Sequence, residues 1–82
     1  MLDALKNAER KIGGTKQLLR ALAEGTVETA FVAEDADEFI YRRITAACAK
    51  ADVRVVRVPT MAELGTACGI EIGTAAAAIL RG

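Results

Sequence analysis

The sequence predicts a small α/β protein, a three-layer α/β/α sandwich with helices on both faces of a small mixed β-sheet. Three observations predict it. Segments with apolar residues at helical spacing alternate with short runs rich in β-branched and aromatic residues. Gly25, Pro59 and Gly69 stand where those segments should stop. The 82 residues, 52% of them hydrophobic, suffice for one modest core, so residues 1–82 read as a single domain.

Leu2 to Ala8 suits a short helix with Leu2 and Leu5 inward, followed by a brief extended piece from Arg10 to Ile12. The next stretch, KIGGTKQLLRAL from Lys11 to Leu22, joins a glycine turn to the start of a helix running from Thr15 to about Glu24. Gly13 and Gly14 admit unusual backbone angles or the close approach of a partner. Lys16, Gln17 and Arg20 are spaced i, i+1 and i+4 and share one helical face, with Leu18, Leu19 and Leu22 turned mainly to the other. The first N–H groups of such a helix point outward without internal partners, which makes its start an anion site.

Thr29 to Ala33, within VETAFVAED, has the composition of a short buried strand and is expected to be central. Asp35, with Glu38 three residues on, has the pattern of an N-cap opening a helix that carries Ala36, Ile40, Ile44, Ala47 and Cys48 at helical spacing. VRVVRV, Val53 to Val58, reads as a strand stopped by Pro59. Thr60 and Glu63 form a capping box for a further helix with Met61, Leu64 and Cys68 on one side. The final AAAAIL suits a helix by alanine propensity and a strand buried between helix layers by its position after Gly73 and Thr74. The alternation of helices and strands elsewhere favours the strand.

Composition excludes several functions. There is no His, and Cys48 and Cys68 alone cannot assemble an ordinary zinc site within one chain. They are expected to be reduced, buried thiols. No apolar run is long enough to span a bilayer, and MLDALKNAERK lacks the apolar centre of a signal peptide, so the expected location is the cytoplasm. The chain has no serine, and neither Cys lies in a recognisable nucleophile motif, so no enzymatic activity, catalytic residue or cofactor is expected. Glu34, Asp35, Asp37 and Glu38 are better explained as a strand exit and helix cap than as a metal site. Phe31, Phe39 and Tyr41, the only aromatics, do not make a stacking platform for a single strand.

The net charge is zero, yet the charges are segregated. Residues 1–20 carry five bases against two acids, a net +3, whereas residues 24–38 carry six acids and no base. Residues 42–57 return five bases, Arg42, Arg43, Lys50, Arg54 and Arg57, against Asp52. Such a division suits one attractive and one repulsive edge. For Arg42, Arg43 and Lys50 a solvated face is the simpler reading.

The segments GGTKQLLRAL, FVAEDAD and RVVRVPTMAELGTACGIEIGTAAAAIL, in this order and spacing, resemble the kink-turn RNA-binding ribosomal protein family, most closely its small bacterial members. The resemblance covers nearly the whole chain. It implies that residues at the start of the second helix enter the major groove of a kink-turn beside its tandem sheared G·A pairs, and that a hydrophobic loop before the last strand covers an extruded nucleotide. Position by position, the implied RNA-binding residues are Gly14, Thr15, Lys16, Gln17 and Arg20 in the first element and Ile70, Glu71 and Ile72 in the second. Archaeal and eukaryotic members carry Asn and Glu where this chain has Lys16 and Gln17; the Lys–Gln pair is similar to that of the bacterial members. Lysine can donate to guanine O6 and N7, and a glutamine amide both donates and accepts. The implied partner is RNA containing a kink-turn, in ribosomal RNA or in a regulatory RNA such as a riboswitch, bound by a monomer, with no DNA or membrane partner.

Taken without the resemblance, Gly13 and Gly14 make a simple turn, and Lys16, Gln17 and Arg20 a solvated face. Ile70 and Ile72 then lead into the final strand as core residues, an alternating pair expected to point the same way. Exposure of both in the free protein would call for a partner. The competing function is a protein-interaction module on the same fold.

Overall fold

In the computed structural model, which describes residues 2–82, helices and strands follow in the order α1 (Leu2–Asn7), β1 (Lys11–Gly13), α2 (Thr15–Glu24), β2 (Val27–Ala33), α3 (Glu38–Lys50), β3 (Arg54–Val58), α4 (Met61–Cys68) and β4 (Ala76–Leu80). The strands form one sheet in the order β1-β4-β2-β3. β2 and β3 run parallel with α3 between them in the chain, while β4 pairs antiparallel with both β1 and β2. The sheet is mixed, and β2 is interior, as its composition requires.

Successive side chains of a strand point to opposite faces, and each face here has its own helix layer. Ala30, Val32, Ala76 and Ala78 pack with Leu18, Ala21 and Leu22 of α2 and Ile44 and Cys48 of α3. Phe31, Ala33, Val58 and Ala77 pack with Leu5 of α1 and Leu64 and Ala67 of α4. A bulge between Val27 and Thr29 resets the alternation in β2, so that Val27 joins the α2–α3 side. Strand β4 settles the ambiguity of the alanine run. Ala76, Ala77 and Ala78 are fully buried between β1 and β2 and beneath helices on both faces. Small side chains fit that space, and the ladder of hydrogen bonds to two neighbours outweighs alanine's helical preference.

Helix ends follow the expected chemistry with one correction. Gly25 and Gly69 close α2 and α4 in the left-handed conformation, and Thr60 Oγ1 accepts from the Glu63 N–H at 3.1 Å. The cap of α3, however, is Asp37 and not Asp35. Asp37 Oδ1 accepts from the N–H groups of Phe39 at 2.9 Å and Ile40 at 3.3 Å. Ala36 is drawn into the core on the α1–α4 side, which holds the chain out of helix until Asp37. Asp35 is thereby aimed at the start of α4, where its Oδ1 accepts from the Met61 N–H at 2.8 Å. Other differences are shifts of one or two residues at strand ends: β1 covers Lys11–Gly13, β2 begins at Val27 and β3 at Arg54. Both cysteines are free; Cys48 is buried, but Cys68 is only half-buried, a correction to the expected pair of buried thiols. Burial pushes both thiols above the ordinary value, offset in part at Cys68 by the charge of Lys11.

One close approach shapes the segment before β4. A Cβ on Gly65, in the middle of α4, would collide with the Ile72 carbonyl oxygen and lie 3.0 Å from Gly73 Cα. Gly73 in turn sits so close to Met61 that a Cβ there would come within 3.1 Å of its carbonyl carbon. Gly65→Ala should therefore destabilise the protein by roughly 1–3 kcal/mol through overpacking, despite the gain of about 1 kcal/mol that alanine offers a helix. Urea unfolding measures this, and a more stable variant would contradict the tight seat. Asp37→Ala should cost about 1 kcal/mol in the same assay, as the loss of an N-cap does; unchanged stability would remove Asp37 from that role.

Candidate nucleic-acid interface

The β1–α2 turn is built for an open helix start. Gly14 adopts φ 112°, ψ 145°, a conformation closed to side chains, and its N–H donates to the Ala76 carbonyl at 2.8 Å. Its own carbonyl accepts from the Leu18 N–H at 3.0 Å, the first bond of the helix. No side chain caps α2, and its first turn carries no acid. The N–H groups of Thr15, Lys16 and Gln17 therefore face outward with the positive end of the helix dipole. Lys16, Gln17 and Arg20 are exposed on one face as expected, Thr15 is half-buried, and Leu18 and Leu22 are buried beneath. Gln17 bends back over the turn: a Cβ on Gly14 would lie 2.6 Å from its Oε1.

The Ile70–Ile72 loop meets this turn from the far side of β4. α4 ends at Gly69, the Ile70 N–H donates to Gly65 O at 2.9 Å, and the Thr74 N–H donates to Met61 O at 3.1 Å. The hydroxyl of buried Thr74 donates to Ala76 O at 2.9 Å. The two isoleucines diverge, contrary to the expectation that they point alike. Ile70 lies over Gly13, where a Cβ would come within 2.6 Å of its Cδ1, and Cys68 borders the same spot. Ile72 projects into solvent, 77% exposed, with Glu71 exposed beside it. The segment departs from simple alternation because it is a loop bonded to α4 and not a strand extension. Ile70 thus joins the two halves of the site, and Ile72 presents an apolar surface.

The charges are arranged differently from two opposite edges. β2 ends at the same end of the sheet where β4 begins, since the Ala33 N–H donates to Ala75 O at 2.9 Å. The acidic residues Glu34 to Glu38 therefore lie at the same end as the α2 start. Most of their charge is engaged locally: Asp35 and Asp37 bond helix N–H groups, and Glu38 pairs with Arg42 at 2.7 Å. Lys16 and Arg20 carry no such pairing among the described residues. The described residues contain no cluster of three or more His, Cys, Asp and Glu able to hold a metal ion, and no helix long and apolar enough to cross a membrane.

Sequence reading missed the roles of Gly65 and Gly73, which seat the loop, and of Asp35, which ties the acidic turn to α4. Gly65 alone had a signal: a glycine inside a helical pattern costs stability unless something approaches its backbone.

Comparison with known proteins agrees with this architecture. The model of the ribosomal protein L7Ae/L30e/S12e/Gadd45 family matches residues 1–82. The chain is 53% identical over 79 residues to RNA-binding protein YbxF of Geobacillus stearothermophilus, covering 96% of each chain. It is 40% identical over 68 residues to the large ribosomal subunit protein eL8 of Halobacterium salinarum, covering 82% of this chain and 57% of that one. The structure of the Giardia lamblia 15.5kD RNA binding protein superposes with a TM-score of 0.90 at 26% identity, over 99% of this chain and 71% of that one. With the family model spanning residues 1–82 and a relative 53% identical over 96% of the chain, the chain belongs to the ribosomal protein L7Ae/L30e/S12e/Gadd45 family.

Proposed function

We propose that this protein is a non-catalytic RNA-binding protein that recognises and stabilises kink-turns in structured RNA, ribosomal or regulatory, acting as a cytoplasmic monomer. The observation that carries the reading is the uncapped, glycine-led start of α2, with Lys16, Gln17 and Arg20 exposed, beside an exposed Ile72. The names of its relatives support the RNA-binding class.

The chemistry fits a bent duplex. Regular A-form RNA has a deep, narrow major groove that side chains do not read, so a protein of this kind needs a bend or bulge that opens it. At the G·A pairs, Lys16 donates to guanine O6 and N7 and the Gln17 amide supplies both a donor and an acceptor. Gly14 and Thr15 let the RNA approach the backbone N–H groups, where the helix dipole favours a phosphate. Arg20, one turn on, neutralises a phosphate brought near by the bend. Ile72 covers the extruded nucleotide, gaining about 2 kcal/mol if fully buried. Ile70 holds that loop to Gly13, and Glu71 orients it.

The deciding measurement is binding, at two salt concentrations, to a kink-turn RNA and to the same RNA with its G·A pairs replaced by Watson–Crick pairs. Selective binding that survives higher salt is expected. Equal, weak binding abolished by salt would favour a protein-interaction module on this fold. Lys16→Ala and Gln17→Ala should each weaken kink-turn binding by roughly 1–3 kcal/mol. Arg20→Ala should act through phosphate and reduce the salt slope by about one. Ile72→Ala should speed dissociation without altering stability, whereas Ile70→Ala should both speed dissociation and lower stability; an unchanged off-rate for Ile72→Ala would take the loop out of the interface.

A further inference from the structure

α2 and α3 leave the same end of the sheet on the same face. The bonds from Gly14 N–H to Ala76 O and from Ala33 N–H to Ala75 O place the ends of β1 and β2 on either side of the start of β4. Both helices then pack on the face formed by Ala30, Val32, Ala76 and Ala78, so they run side by side in the same direction. A groove lies between them, lined by Leu19, Leu22, Ala23, Ala47, Lys50 and Ala51. On α2, exposed Lys16 and Arg20 stand one turn before Leu19 and Ala23 of that lining. On α3, Lys50 belongs to the lining, and exposed Phe39 and Arg43 precede it on the same helical stripe, Arg43 one turn before Ala47.

Between Thr15 and Ala23 on α2, and between Phe39 and Lys50 on α3, every charged side chain is basic. Arg42 is engaged by Glu38 on the other flank of α3, but Arg43 and Lys50 make no ion pair among the described residues. Carboxylates stand at both ends, Glu34 to Glu38 at the head and, at the tail, Glu24 near Gly25 and Ala51, with Asp52 next to Ala51 in the chain. At the head, Phe39 is 73% exposed, an aromatic surface that bulk water does not favour. Cationic side chains along both flanks of the groove complement the phosphates of an RNA backbone. The head of the α2 wall is Lys16, part of the kink-turn interface proposed above.

We propose that this groove carries the backbone of one RNA stem leading away from the kink, with Arg43 and Lys50 neutralising its phosphates; the assignment rests on the kink-turn reading. It gives the two basic residues a ligand in place of bulk solvent, and it extends the interface from the bend to the adjoining duplex.

The test uses a kink-turn RNA with short stems and two versions in which one stem or the other is extended by about ten base pairs, roughly one helical turn. Wild-type protein should bind one extended RNA at least about fivefold more tightly than the short one, with a steeper salt dependence. Arg43→Gln combined with Lys50→Gln should lose that increment while binding the short RNA within about twofold of wild type. Arg42→Gln, whose charge is already paired, serves as the control and should keep the increment. No increment for either stem, or an increment retained by the double variant, would overturn the proposal. Equal losses on short and extended RNAs would place Arg43 and Lys50 at the kink and overturn the stem path. Failure of wild type to prefer the short kink-turn over its Watson–Crick counterpart would overturn the kink-turn reading itself, and this proposal with it.

Discussion

The hydrogen bond from the Gly14 N–H to the Ala76 carbonyl is the constraint on which the site depends. It fastens the start of α2 to the start of β4, and so brings a segment near residue 14 against one that follows residue 70. The remaining contacts take their places around it. Thr74 bonds the same carbonyl from the loop side, Ile70 covers Gly13, and Gly65 gives way to the Ile72 carbonyl. Gly13, Gly14, Gly65 and Gly73 are needed because backbone must meet backbone or side chain at short range, and Gly14 must also hold a conformation that other residues avoid. Geometry of this kind is rigid, so the apolar and polar halves of the site face a ligand already aligned.

Electrostatics complements the geometry through local pairing more than through net charge. A neutral protein lacks the broad positive field that draws nucleic acid indiscriminately. What it offers is a few cations on α2 and α3 without an ion pair among the described residues, next to carboxylates that are occupied with helix N–H groups or with Arg42. That division favours shape and contact over non-specific attraction.

Much of this was legible in the sequence wherever local chemistry decides structure. The glycine after α2, the Thr60 cap, Pro59 after β3 and the leucine face of α2 each depend on neighbours within one turn. The failures involve contacts distant in sequence. Asp35 had the spacing of a capping box, but the burial of Ala36 and the demand of the Met61 N–H, 26 residues away, assigned it elsewhere. Ile70 and Ile72 were expected to point alike because their alternation is that of a strand; bonding of the loop to α4 separates them. The site residues on α2 were visible as a face. Their juxtaposition with the loop came from family resemblance, since no local pattern states which strands are neighbours.

The alanine strand has a consequence for motion. β4 is bonded on both sides and shielded on both faces, so its amide protons can reach solvent only when the whole domain opens. The three-residue strand β1 pairs along one side alone and lies at the rim. Deuterium should enter β1 through brief local openings while β4 stays protected to the limit of global stability. The two halves of the interface are thus anchored to the slowest-exchanging strand of the protein, and fraying of β1 at the rim leaves the bond from Gly14 to Ala76 in place.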